Sequence, residues 1–134
     1  MLVGSYGSLV MEDGSIKIPK KFQNDLKGKL VVTVDVHDGC VVIIPINNLS
    51  TIQHKSKTGN EFKTLLNNSE IYIMENPEIL KIDAIFLRSV GITRECVFLG
   101  MQDYVELWDK EKFNAYFTNL DRDSIKEELL RRGF

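Results

Sequence analysis

The chain has 134 residues, 43% of them hydrophobic and 27% charged, enough for one sizeable buried core and within single-domain length. Its formal net charge of -2 gives no global attraction to nucleic acid, so any such function needs a local basic face. The longest apolar runs, such as "VVIIPI", are far too short to cross a bilayer, and no basic segment followed by an apolar signal core opens the chain, so a soluble, intracellular protein that engages no membrane is expected.

In chain order, "SIKI" (15–18) alternates as a short strand and leads into a short helix, "KKFQNDL" (20–26), with Gly28 close behind as its stop. "KLVVTVDV" and "CVVIIP" are then two strands about the Asp38-Gly39 turn, a dipeptide that favours tight hairpins. After Pro45, "NNLSTIQHK" begins a helix for which an Asn supplies the cap. "KSKTGNEFKTLLNN", polar and holding Gly59, reads as a loop followed by a short helix. The order then recurs: strand "EILKI" (78–82), helix "AIFLRSV" (84–90) stopped by Gly91, and strands "ECVFLGM" and "YVELW" about a "QD" turn. "DKEKFNAYFTNL" starts a helix from Asp109, and "DRDSIKEELLRR" is a last helix with acids in its first turn, arginines in its last and Gly133 as stop.

This recurrence is a repeat. Shifting the sequence by 64 positions lays "SIKIPKKF" on "ILKIDAIF" and, without a gap, pairs Phe22 with Phe86, Leu26 with Val90, Val34 with Phe98, Ile43 with Leu107 and Leu49 with Phe113. A tandem duplication follows: residues 1–50 as the first repeat, 51–67 as a helical linker, 68–113 as the second repeat and 114–134 as C-terminal helices. Each half is too small to bury a core alone, so the two must pack into one compact domain.

Few residues invite catalysis. His37 and His54 are the only histidines, and neither falls in a Ser/His/Asp or Cys/His arrangement. Cys40 and Cys96 match no CxxC or Cys/His spacing, so neither a metal knuckle nor a disulfide framework is indicated, and both suit small core positions. "GSYGS" lacks the lysine and the strand-to-helix context of a phosphate loop. An enzyme, a metal site and a cofactor are therefore not expected.

The segment "GSYGSLVMEDGSIKIPKKFQ" (4–23), with "CVVIIP" (40–45) and "GITRECVFLGMQDYVELWD" (91–109), carries a resemblance to a known family. It is similar to the MraZ proteins, tandem relatives of the AbrB-type swapped-hairpin barrel, whose pattern opens approximately "GSYSHSLDAKGRISIPAKFR" and later reads "GLTKEVVLVGxxxxxEIWD". The resemblance implies an α+β, mostly β fold: a swapped-hairpin barrel of two AbrB-like repeats, with helices at the repeat ends and C-terminus. It also implies a bacterial transcriptional regulator that forms closed, octamer-like rings. Such rings bind repeated promoter boxes upstream of the division and cell-wall gene cluster, in the cytoplasm at the nucleoid.

The family's mark is an Asp-x-x-x-Arg loop in each half. Here the acid and arginine positions hold Met11 and Ser15 in the first loop and Glu75 and Ile79 in the second, so the arginines do not carry over. Arginine's planar fork grips a phosphate or a guanine edge at two points, which serine and isoleucine cannot do. Strand alternation puts Lys17 on the side of Ser15 and Lys81 on that of Ile79, where a lysine reaches a phosphate as a point charge with little base selectivity; ordinary solvated strand lysines would occupy the same places.

Segment charges favour the first half. Five lysines meet five acids over residues 4–50, Lys55, Lys57 and Lys63 oppose Glu61 over 51–67, and five bases meet nine acids over 68–113. The DNA-binding set is Lys17, Lys20, Lys21 and Lys81, with Lys55 and Lys57 as additions. The alternative, which the lost arginines favour, is a ring-forming protein-interaction scaffold without specific DNA binding.

Overall fold

The computed structural model describes residues 1–55, 59–118 and 122–133. Its elements are β1 (Leu2–Leu9), β2 (Ile16–Lys17), α1 (Lys20–Gln23), β3 (Gly28–Asp35), β4 (Cys40–Pro45), a 3-10 turn (Ile46–Asn48), α2 (Leu49–Lys55), α3 (Gly59–Asn67), β5 (Glu70–Met74), β6 (Ile79–Leu80), α4 (Ala84–Ser89), β7 (Glu95–Gln102), β8 (Val105–Asp109), α5 (Lys110–Thr118) and α6 (Arg122–Arg131). The architecture is α+β, with a six-stranded sheet of order β1-β7-β8-β4-β3-β5 and a two-stranded ribbon of β2 and β6. The strand pairings are antiparallel.

The halves exchange strands. β1 from the first half pairs along its whole length with β7 of the second, and β5 from the second pairs with β3 of the first. Two contacts close this exchange, Ile16 against Leu80 in the ribbon and Val42 against Glu106 between β4 and β8, and each joins residues 64 positions apart. The two hairpin loops differ in length. Val32 and Cys96, 64 apart, pair with Glu70 and Ser8, only 62 apart, so the path from the first strand to the ribbon is two residues longer in the second half, from Glu70 to Leu80, than in the first, from Ser8 to Ile16.

Alternation decides what the strands bury. Leu30 and Val32 of β3, Val41 and Ile43 of β4, Phe98 of β7 and Val105 and Leu107 of β8 form the main core with Ile16, Ile18, Leu80 and Ile82. The opposite sheet face holds a second cluster of Val31, Val42, Ile44, Cys40 and Trp108, against which α2, α3 and α5 lay Leu49, Ile52, Leu65 and Phe113. β4 is thus buried along all six residues, as expected for a central strand covered on both faces. In each half a tyrosine of the first strand meets the phenylalanine of the following helix edge-on: Tyr6 with Phe22 at 5.1 Å between ring centroids and Tyr72 with Phe86 at 6.4 Å.

Gly100 is required by close approach. A Cβ there would lie 2.6 Å from the carbonyl carbon and oxygen of Leu2 and the amide nitrogen of Val3, so only glycine lets β1 lie on β7 at this point. The 3-10 turn after Pro45 has no side-chain cap, and Asn48 donates through Nδ2 to the Asp103 carbonyl at 2.9 Å. Asp109 does open α5, accepting from the Lys112 amide at 3.2 Å. No helix among the described residues is long and apolar enough to cross a membrane.

Candidate nucleic-acid interface

The ribbon joins the two loops. Lys17 pairs with Ile79, so Ser15, Lys17, Ile79 and Lys81 share one face, while Ile16, Ile18, Leu80 and Ile82 turn into the core. Sequence alternation alone gives this division, and the burial agrees with it except at Ser15, which lies on the outer side but is buried.

Each loop is held by a side-chain oxygen accepting from the backbone two residues on, which mimics a backbone turn. In the first, Asp13 Oδ1 accepts from the Ser15 amide at 3.0 Å and the Ser15 hydroxyl at 2.6 Å. The loop closes through Gly14 N–H to the Met11 carbonyl at 2.9 Å and Met11 N–H to the Ser15 carbonyl at 2.7 Å. Gly14 has φ +85°, a conformation that favours glycine. In the second loop Asn76 Oδ1 accepts from Glu78 N–H at 3.0 Å. The positions that the MraZ resemblance gives to arginine are therefore a serine tucked under Asp13, 6% exposed, and an isoleucine 42% exposed.

The lysines do not behave alike. Burial leaves Lys17, Lys20, Lys21 and Lys81 exposed, and among the described residues no ion pair engages Lys17, Lys20 or Lys21. Lys81 faces an acid. The Asp13 carboxyl is held below the usual carboxylate range, first by the Ser15 hydroxyl, then by the Ser15 amide, with the charge of Lys81 adding to the effect. Part of the charge of Lys81 is thus answered within the protein.

Beside the ribbon runs an open groove of about 960 Å³, lined by Lys17 and Lys20 together with Met11, Gln23, Glu78 and Lys110 among others. Lys21 and Lys81 are not in its wall. Lys110 reaches Glu95, also in the wall, at 3.5 Å, which leaves Lys17 and Lys20 facing Glu78 and makes the groove weakly basic. Lys110 and Gln23 escape sequence reasoning, because Lys110 enters the site only through the pairing of β1 with β7. The side chain of Lys55 and all of Lys57 lie outside the described residues.

Nothing here is shaped for catalysis by the two cysteines. Burial pushes the Cys96 thiol up to about 12, and desolvation with nearby Glu106 pushes Cys40 further up, so both stay protonated core residues. Among the described residues no group of three or more His, Cys, Asp or Glu could hold a metal ion.

Comparison with known proteins bears on the whole chain. Residues 80–132 match the family model described as "MraZ protein, putative antitoxin-like". A protein of Frankia alni named "Transcriptional regulator MraZ" is 26% identical over 140 aligned positions, covering 97% of each chain. Another of that name from Corynebacterium glutamicum (strain R) is 28% identical over 124 positions, covering 87% of this chain and 86% of its own. The chain is thus similar to MraZ regulators along nearly its whole length. Both loops and the ribbon are built here, while the positions matched to the MraZ loop acid and arginine hold Met11, Ser15, Glu75 and Ile79, with Lys17 and Lys81 beside them.

Proposed function

We propose that this chain is a DNA-binding transcriptional regulator of the MraZ type, acting as a closed, octamer-like ring on repeated boxes in the promoter of the division and cell-wall gene cluster. The observation that carries the reading is the exposed pair Lys17 and Lys20, without an ion-pair partner among the described residues, on a groove beside the loops that the family uses. The names of the Frankia and Corynebacterium relatives support it. The exchange of strands between the halves supports a swapped-hairpin barrel of two repeats, 1–50 and 68–113, joined by 51–67 and followed by 114–134. On this reading the protein works in the cytoplasm, on the nucleoid.

Lys17, Lys20 and Lys21 contact phosphates of the duplex, with Lys81 a weaker fourth because Asp13 answers part of its charge. Such contacts set affinity and position, and they carry little sequence information. Repetition of the same face around a ring multiplies weak contacts through effective concentration, which is how binding survives the loss of both loop arginines. The test is a gel shift of the purified protein on DNA from upstream of its own gene. Retention at lower protein concentration than on scrambled DNA supports regulation there, and no retention on either removes DNA binding.

A second reading has its own observation. Met11 is 54% exposed and Ile79 42% exposed, so the loop face offers apolar surface where the family offers acid and arginine. That favours a ring-forming scaffold that grips protein, in which case the gel shift is negative while the oligomer persists.

A further inference from the structure

We infer that a hollow on the far side of the sheet binds an organic cation, with the carboxylate of Glu106 as its counter-charge. The hollow, about 620 Å³, lies between β3, β4 and β8 and the helices α2 and α3. That volume is in the range of small-molecule sites, and its lining is of the matching kind: Val42, Ile44, Ile52 and Leu65 supply apolar wall, while Tyr104 and Glu106 supply polar groups. No lysine or arginine is among the lining residues.

Glu106 is the anomaly that points to a ligand. It sits in a central strand and is only 6% exposed, yet no cation pairs with it among the described residues. Its contacts are neutral: Trp108 Nε1 donates to Oε1 at 3.1 Å, and the Cys40 thiol adjoins it. The charges that act on it are of its own sign, Asp38 and Asp35, and burial first, then these acids, raises its pKa despite the Trp108 hydrogen bond; Glu61 and His37 also line the hollow. Buried carboxylates are ordinarily paired with a cation, because an isolated one is costly. An ammonium or guanidinium entering the hollow would supply the missing charge, and the apolar wall would take the hydrocarbon body attached to it. An anion would meet Asp35 and Glu106 and be repelled.

The chain carries its own reporter, since Trp108 is the single tryptophan and touches the proposed anchor. The full-length protein is titrated at neutral pH with 2-phenylethylamine, with 2-phenylethanol as the neutral analogue and phenylacetate as the anion, while Trp108 emission is followed. The inference expects a saturable change with the amine alone, and at least about a tenfold weaker response in Glu106→Gln, the equivalent of one lost charge-assisted contact. Equal responses to all three compounds, no response to the amine, or unchanged amine affinity in the variant each overturn it. Should Glu106→Gln not fold, the wild-type protein decides: the carbon-13 signal of the Glu106 carboxyl titrates at lower pH once the amine is present, and a midpoint that does not move overturns the inference.

Discussion

Replacing Lys17 and Lys81 together by alanine removes one exposed charge from each strand of the ribbon without touching the core behind it, where Ile16 and Leu80 are fully buried. If Lys17, Lys20, Lys21 and Lys81 each meet one phosphate, counterion release gives a slope of log K against log salt of about -3.6 for each engaged subunit, and the double variant about -1.8. Taking the lines to converge near 1 M salt, the variant binds about 60-fold more weakly at roughly 0.1 M. The loss is unequal between the two sites, because Asp13 already answers part of the charge of Lys81. Lys17→Ala alone therefore costs more than Lys81→Ala alone. Fluorescence anisotropy of labelled upstream DNA across a salt series reads both numbers. Because both side chains are exposed, the stability of the variant stays within about 0.5 kcal/mol of wild type, which denaturant unfolding checks. An unchanged slope and affinity in the double variant would refute the assignment of phosphate contacts to the ribbon.

Gly100→Ala drives a Cβ into the Leu2–Val3 backbone and costs about 1–3 kcal/mol in urea unfolding, whereas Gly7→Ala, with nothing within 4 Å of its added Cβ, serves as the control without a clash. Equal effects of the two would contradict the registered packing of β1 on β7. Burial, opposed in part by the Trp108 hydrogen bond, raises Glu106 above its ordinary value of 4.5, so the folded state holds its proton to higher pH than the unfolded one. The stability this contributes is complete below 4.5 and is lost as pH rises through the folded value, so Glu106→Gln gains on wild type over that window and then levels off. Urea midpoints of both proteins at several pH values show it, and a pH-independent difference would contradict it. Light scattering of the pure protein is expected to give a single large oligomer, and a monomer would remove the avidity from which the DNA reading draws its strength.

The ribbon was the most legible part of the sequence. Alternation in "SIKI" and "EILKI" assigns Ile16, Ile18, Leu80 and Ile82 to the core and Lys17 and Lys81 to the outside, because a two-residue period leaves no freedom of face. The helices that follow and the two hairpins are legible for the same local reasons. The strands β1 and β5 are not: "LVGSYGSL" is broken by Gly4 and Gly7 and is held in place by its partner β7, a long-range contact that no local pattern contains. That exchange also hides Lys110 from the groove. Glu106 was missed for a different reason. In "YVELW" it occupies the face that an edge sheet would expose to water, but α2, α3 and α5 cover that face here, so a position polar by pattern is buried in fact.

The central claim is that DNA meets this chain on the ribbon and groove. Amide chemical shifts of the protein, followed while a short duplex from upstream of its own gene is added, test it most directly. The account predicts movement concentrated at residues 11–23 and 75–84, strongest around Lys17 and Lys20, and fading as salt rises. Movement confined to other faces, or none at a duplex concentration that retards the protein in a gel, would contradict it.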